Sequence, residues 1–433
     1  MQKGTFLYVN VRVCSRHTLI YRVYFEFWSF YMSIKRGRKF LNTPGPTHVP
    51  DRVMNAMHQS TLDLSDPHFL DVSMSCFQDL QKIFKTMGEI FLYASNGHGA
   101  WEAALTNVFS PGDNILVPET GNFSNAWSDM ARALNLNVQT VRGDSRRAID
   151  PEGIEVALEK DTQRKIKGVL VVHTETATGI TNDLRSIRKA IDSSRHPALL
   201  VVDSVAALGT VDYRMDEWGI DVTVSASQKG LMMPPGLGIV AANEKAMSVH
   251  QKSTMPKLYW DWNTRLKAEH YRKFCGTAPQ LMVFGMREAL NMIFEEGLEN
   301  VFERHRILAG ATHAAVEIWG KTGNLSLNAV EPEDRSTAVT TVLTSNSVNA
   351  DAIRDICRDE MMVGLGGGLG NLSGKAFRIG HMGDINAPML YAALASVEAT
   401  LCYLDIKHGA GGVTASVEYI AQKKKEGEAP FSY

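Results

Sequence analysis

Two residues combine a reactive side chain with a setting that could use it, Lys229 and Asp203. Lys229 lies on a turn between Val222-Thr-Val-Ser-Ala and Ile239-Val-Ala-Ala, both strand-like, and Gly230 follows it at once. Pro234, Pro235, Gly236 and Gly238 punctuate the chain after it. A lone lysine so placed suits an amine that is partly desolvated and aimed at a carbonyl, as a Schiff-base lysine is. A solvated turn lysine would have the same local sequence. Asp203 closes a continuous apolar run, Ala198-Leu-Leu-Val-Val. A carboxylate there is either the N-cap of the next segment or a functional group at the C-terminal edge of a sheet.

Pyridoxal phosphate chemistry needs this pair, a lysine that holds the cofactor and a carboxylate that keeps the pyridine nitrogen protonated. The flanking residues read Asp203-Ser-Val-Ala-Ala-Leu-Gly, Asp216-Glu-Trp-Gly-Ile-Asp-Val-Thr-Val and Ser227-Gln-Lys-Gly, then Pro-Pro-Gly-Leu-Gly. Together they resemble the class V aminotransferases, in particular the branch of serine–glyoxylate and alanine–glyoxylate aminotransferases. The similarity runs from residue 40 to residue 404. It implies an α/β protein of PLP-dependent transferase fold type I, with a mostly parallel sheet in a large domain and a smaller C-terminal α+β domain. It also implies pyridoxal 5'-phosphate on Lys229 and a homodimer with shared active sites.

Other residues take their expected roles from the same resemblance. Ser95-Asn-Gly-His-Gly ends a short strand and begins a helix with Leu105, Val108 and Phe109 on one face. Glycines there admit an anion to the backbone N–H groups of a helix N-terminus. The cofactor phosphate then maps to Asn96, Gly97 and His98. Asn96 departs from the Ser-Gly-Thr or Ser-Gly-His of several relatives. Phe123 matches the ring stacked on the pyridine, and Thr176 the hydroxyl beside the phenolic oxygen. Gln228 joins the cofactor set, while His173 reads as a structural or outer-layer histidine. Thr277 matches a hydroxyl that reaches the neighbouring subunit's phosphate; Phe274 stands where some relatives have tyrosine. Arg378, between apolar Phe377 and Ile379, needs an anionic partner. The resemblance makes that partner the substrate's α-carboxylate, gripped by the guanidinium fork. Pro44 and Gly45 would place backbone near the substrate.

The elements that must position these residues follow from periodicity. Strand-like runs at 168–172, 199–203, 221–225 and 238–242 alternate with helix-like segments such as 183–192. Residues 51–58 show helical spacing at Val53, Met54 and Met57, read as core. Val363-Gly-Leu-Gly-Gly-Gly-Leu-Gly lacks a P-loop lysine and is read as a mobile active-site loop. The expected divisions are an atypical extension 1–31, an arm 32–50, a large cofactor-binding domain 51–294, a small domain 295–408 and a peripheral tail 409–433.

Composition bounds the partners. With 433 residues, 44% hydrophobic and 21% charged, the chain can bury a large core, and its net charge of -2 predicts no affinity for nucleic acid or a membrane surface. Five scattered cysteines, Cys14, Cys76, Cys275, Cys357 and Cys402, lack metal spacing and read as reduced thiols in the cytoplasm. In residues 1–31 aromatic and apolar residues are interrupted by Arg12, Arg16, Arg22 and Glu26, so no run could cross a membrane. The family likeness starts after Met32, so translation is expected to begin there and the extension to be an artefact of gene prediction. A mitochondrial transit peptide is the alternative.

Three other functions compete. A related branch transaminates free pyridoxamine with pyruvate, and Arg378-Ile-Gly-His-Met-Gly suits it equally. A cysteine desulfurase needs a nucleophilic cysteine in 364–370, where there is none, and usually a histidine where Gln228 stands. A non-catalytic cofactor-binding regulator needs a DNA-binding module that neither end supplies.

Overall fold

The structure, a computed structural model, describes residues 37–428. The expected start at Met32 lies outside the described residues. Lys39 opens the compact unit that holds every element below.

The strands in chain order are β1 (Phe40–Asn42), β2 (Glu89–Ser95), β3 (Asn114–Pro118), β4 (Asn137–Val141), β5 (Ile166–Val172), β6 (Thr174–Glu175) and β7 (Ile180–Thr181). They continue with β8 (Leu199–Asp203), β9 (Val222–Ala226), β10 (Gly236–Ala242), β11 (Leu325–Leu327), β12 (Val339–Thr344), β13 (Val363–Gly367) and β14 (Ala376–Gly380). A seven-stranded sheet has the order β2-β10-β9-β8-β5-β3-β4, with only β10 antiparallel to its neighbours. Both faces are covered, which is why Val169–Val172 of β5 and Leu199–Val202 of β8 read as unbroken apolar runs. Leu116, Val169, Val171, Leu200 and Val202 enter one core, and Val117, Leu170, Val172 and Val201 the other. Each such side chain stabilises the fold by about 1.5–3 kcal/mol when withdrawn from water.

A five-stranded sheet, β1-β13-β14-β12-β11, carries the C-terminal part of the chain. The N-terminal arm joins it, because β1 pairs in parallel with β13. The helices Gln280–Glu296 and Leu298–Trp319 meet at Gly297, and the second backs this sheet with a core of its own.

Three local expectations are corrected. The glycine-rich run does not form a mobile loop at its start; residues 363–367 are β13, held between β1 and β14. Its glycines serve close packing: a Cβ on Gly366 would lie 2.7 Å from Pro44 Cδ and 3.2 Å from Arg378 Cβ. The segment expected to be a peripheral tail contains a helix, Gly412–Lys425, packed so closely that a Cβ on Gly412 would lie 2.1 Å from Trp319 Nε1. In the helix Asp51–Met57, Val53 is buried and Met57 packs on the core, but Met54 is 50% exposed. Two turns of helix bury one narrow face, and Met54 lies off it.

Candidate active site

Strands β2, β3, β5, β8 and β9 run in one direction, so their C-terminal ends gather at one edge of the large sheet. That edge is where open α/β sheets place ligands. A cavity of about 160 Å³ opens there, and its wall includes Gly97, His98, Phe123, Thr176, Asp203, Gln228 and Lys229. Seven residues singled out in the sequence are thus brought together. Gly45 and Pro46 of the arm cover them.

Lys229 follows β9. Its Nζ donates to the Pro44 carbonyl, while Thr47 N donates to Gln228 O and Thr47 Oγ1 to Lys229 O, both at 3.2 Å. The arm therefore lies directly on the lysine. A Cβ on Gly45 would crowd the end of the Lys229 side chain, and the backbone there has φ +107°, a conformation that favours glycine. Burial lowers the Lys229 pKa to about 8, helped by the charge of Arg378 and opposed by Asp203 and Glu175. A larger share of the amine is therefore neutral and nucleophilic near neutral pH.

Asp203, at the end of β8, is buried with a donor on each oxygen. Val205 N lies 2.7 Å from Oδ1 and Trp101 Nε1 3.0 Å from Oδ2. Burial pushes its pKa up to about 6, against these donors and the charge of Lys229. Sequence reasoning missed Trp101. It stands on the helix Gly97–Val108, stacks on Trp127 with ring centroids 5.6 Å apart, and presents an edge to Phe123 at 6.3 Å.

Glu175 was missed as well. Its Oε2 accepts from Phe123 N at 2.9 Å and Ser124 N at 3.3 Å, and its Oε1 from Ala177 N at 3.0 Å. Burial pushes its pKa up to about 7 against those three donors. A signal did exist: like Asp203, it is an acid just beyond a continuous apolar strand.

Arg378 projects from β14. Its Nε donates to Gly367 O at 2.7 Å and one Nη to Thr176 O at 3.0 Å. Among the described residues these hydrogen bonds end on main-chain carbonyls, not on a carboxylate of the fold. Burial lowers its pKa to about 10, with Glu175 opposing.

Asn96 stands apart from the cavity wall. Its side chain caps the helix Gly97–Val108, accepting from His98 N at 3.1 Å and Gly99 N at 3.3 Å. Thr277 is exposed and outside the cavity, and Phe274 is buried against Phe77. His173 is buried 3.5 Å from Ser204 Oγ, and its pKa is lowered to about 3, which suits a neutral structural ring.

The wall has one polar atom in want of a partner. Gln228 Oε1 is buried, with no hydrogen bond among the described residues. With an activated amine, a buried carboxylate and an aromatic wall, this donor set fits a planar pyridine aldehyde. The class of chemistry so defined is exchange between an amine and a carbonyl.

Comparison narrows the class to a family. The family model described as "Aminotransferase class-V" matches residues 39–370. The serine–glyoxylate aminotransferase of Methylorubrum extorquens is 40% identical over 393 residues, covering 89% of this chain and 97% of its own. The L-aspartate–glyoxylate aminotransferase of Paracoccus denitrificans is 36% identical, over 88% of this chain and 95% of its own. The crystal structure of ureidoglycine–glyoxylate aminotransferase from Bacillus subtilis superposes with a TM-score of 0.82 at 27% identity, covering 89% of this chain and 99% of that one. The chain belongs to the class V aminotransferases. It is a transaminase, with the fold type I architecture of PLP-dependent transferases.

Proposed function

We propose that this enzyme moves an amino group from a small amino acid, serine or alanine, to a small 2-oxo acid, glyoxylate or pyruvate. Pyridoxal 5'-phosphate is its cofactor, held covalently by Lys229. One observation carries the reading: Lys229 and Asp203 share a cavity whose Thr176 carbonyl also fixes Arg378.

The cofactor supplies an electron sink for the bond broken at the substrate Cα. Arg378 binds the substrate carboxylate through the guanidinium edge left by Gly367 and Thr176. Asp203 keeps the pyridine nitrogen protonated, Phe123 covers the ring, and Thr176 and Gln228 supply polar contacts at its rim. Gly97 and His98, with Asn96 between them and β2, hold the phosphate. Lys229 Nζ takes the proton from Cα and returns it elsewhere, as base and then acid. The Pro44 carbonyl orients that amine and Gly45 leaves room for it.

Thr277 belongs to a second copy's site in this reading. Leu258, at 76% exposure, and the exposed Tyr271 lie on the segment that leads to it and offer apolar surface to a homodimer. Cys76, Cys275, Cys357 and Cys402 are free thiols, which suits a cytoplasmic enzyme. Among the described residues no helix is long and apolar enough to cross a membrane.

Asn96 favours a second reading. Because its side chain already occupies two N–H groups of the expected phosphate cradle, an unphosphorylated partner, free pyridoxamine with pyruvate, is the alternative.

The test is a pair of half-reactions. Protein loaded with pyridoxal phosphate should lose its visible band on addition of L-serine and regain it with glyoxylate. No response to serine moves the test to alanine and then to pyridoxamine. A protein that never develops the band overturns the reading.

A further inference from the structure

We propose that Glu175 is a positioning residue for this reaction, holding the Phe123 ring against the cofactor by tying the first turn of the helix Asn122–Ala133 to segment 174–178. The proposal rests on the function assigned above to Lys229 and Phe123.

The helix Asn122–Ala133 starts at Gly121, which has no side chain to accept from its first amides. An asparagine, serine or aspartate at that position would serve any ordinary helix. Instead Glu175, 52 residues away from Phe123, supplies the acceptor for both Phe123 N and Ser124 N. Gly121 makes this possible. A Cβ there would lie 2.7 Å from Glu175 Cγ and 2.9 Å from its Cδ.

The other carboxylate oxygen closes on Ala177 N, which holds the acid to its own segment. That segment is fixed from elsewhere as well: Thr176 O accepts from Arg378, and Thr178 O from Asn328 Nδ2. One carboxylate therefore sets the ring that covers the cofactor relative to the cation that grips the substrate. Burying a carboxylate is costly, and a local cap would have satisfied the same amides. Its use here buys a fixed distance between two parts of the site.

Glu175→Gln in the loaded enzyme tests this. The amide keeps one oxygen for two of the N–H groups but turns an NH2 toward the third donor. The visible band should persist, while its circular dichroism falls at least twofold and the dissociation constant of pyridoxal phosphate rises at least tenfold. Gly121→Ala, which leaves the carboxylate but crowds its Cγ, should change both in the same direction. In a Phe123→Leu background the Glu175→Gln effect on affinity should largely vanish, because the two act through one ring. Additive effects in that cycle overturn the proposal. So does a lowered unfolding midpoint with affinity and dichroism unchanged, the signature of a merely structural cap. Wild-type protein lacking the band overturns the functional reading and this proposal together; intact wild-type behaviour with silent variants overturns this proposal alone.

Discussion

At the edge of the seven-stranded sheet Asp203 and Glu175 are ringed by N–H donors, whereas Arg378 on the five-stranded sheet meets carbonyl oxygens. The difference lies in what each group has left to give. Two charge-assisted donors on Asp203 stabilise its ionised form and hold both oxygens in place, so it acts at a fixed distance. Carbonyls orient the arginine without neutralising it, because a dipole cannot cancel a full charge. The large sheet thus holds carboxyl groups whose oxygens are already engaged, and the small sheet holds an unspent charge for a ligand.

Deleting each side of this pair should produce opposite losses. Lys229→Ala abolishes turnover and the visible band while leaving the Arg378 contacts intact. Arg378→Ala keeps the band but raises the KM for the amino donor. Removing one partner of a desolvated charge pair costs about 3 kcal/mol, roughly a hundredfold. Measurable transamination by Lys229→Ala, or an unchanged KM in Arg378→Ala, would break the comparison.

A smaller effect tests the donors around Asp203. Trp101→Phe keeps an aromatic ring against Trp127 but removes the N–H from Oδ2. Leaving that oxygen short of a donor costs about 1–2 kcal/mol, so cofactor affinity should fall about tenfold. The sign of the pH effect follows from which form the donor favours. Trp101 stabilises the carboxylate, so its loss raises the Asp203 pKa further above its present value of about 6. As pH falls, the Trp101→Phe enzyme should therefore lose activity and cofactor signal at a higher pH than wild type. Coincident profiles would show that the indole N–H contributes nothing.

What the sequence disclosed has the same division. Lys229, Asp203, Gly97, His98 and Phe123 each sit at or beyond the C-terminal end of a strand, and local pattern plus resemblance placed all five at the cavity. Trp101 was invisible, and Glu175 showed only as an acid beyond an apolar run, because their roles are made by partners 102 and 52 residues away. Their local sequence describes an ordinary helix and a strand end. The glycine-rich run misled for a related reason. Glycine signals mobility by composition, yet here Gly366 and Gly380 let the arm press against β14; a Cβ on Gly380 would lie 2.2 Å from Thr43 O. Composition cannot tell a bare backbone that moves from one that is tightly packed.

Asn96 sharpens the comparison at its weakest point, since its side chain already closes two amides of the expected phosphate cradle. Losing a side-chain N-cap costs about 1 kcal/mol. In a chain of this size that lowers the unfolding midpoint of the Asn96→Ala apoprotein by about 1 °C. If the cofactor phosphate binds at this helix, its oxygens replace the lost acceptor on His98 N and Gly99 N. The loaded variant should then unfold at the same midpoint as loaded wild type, because the ligand restores the cap. Its affinity for pyridoxal phosphate should hold or rise, while its affinity for unphosphorylated pyridoxal stays where it was. Equal losses in both forms, with no preference for the phosphorylated compound, would mean that no phosphate reaches these amides. Asn96 would then be a permanent cap, and free pyridoxamine would become the better substrate for the cavity beside it.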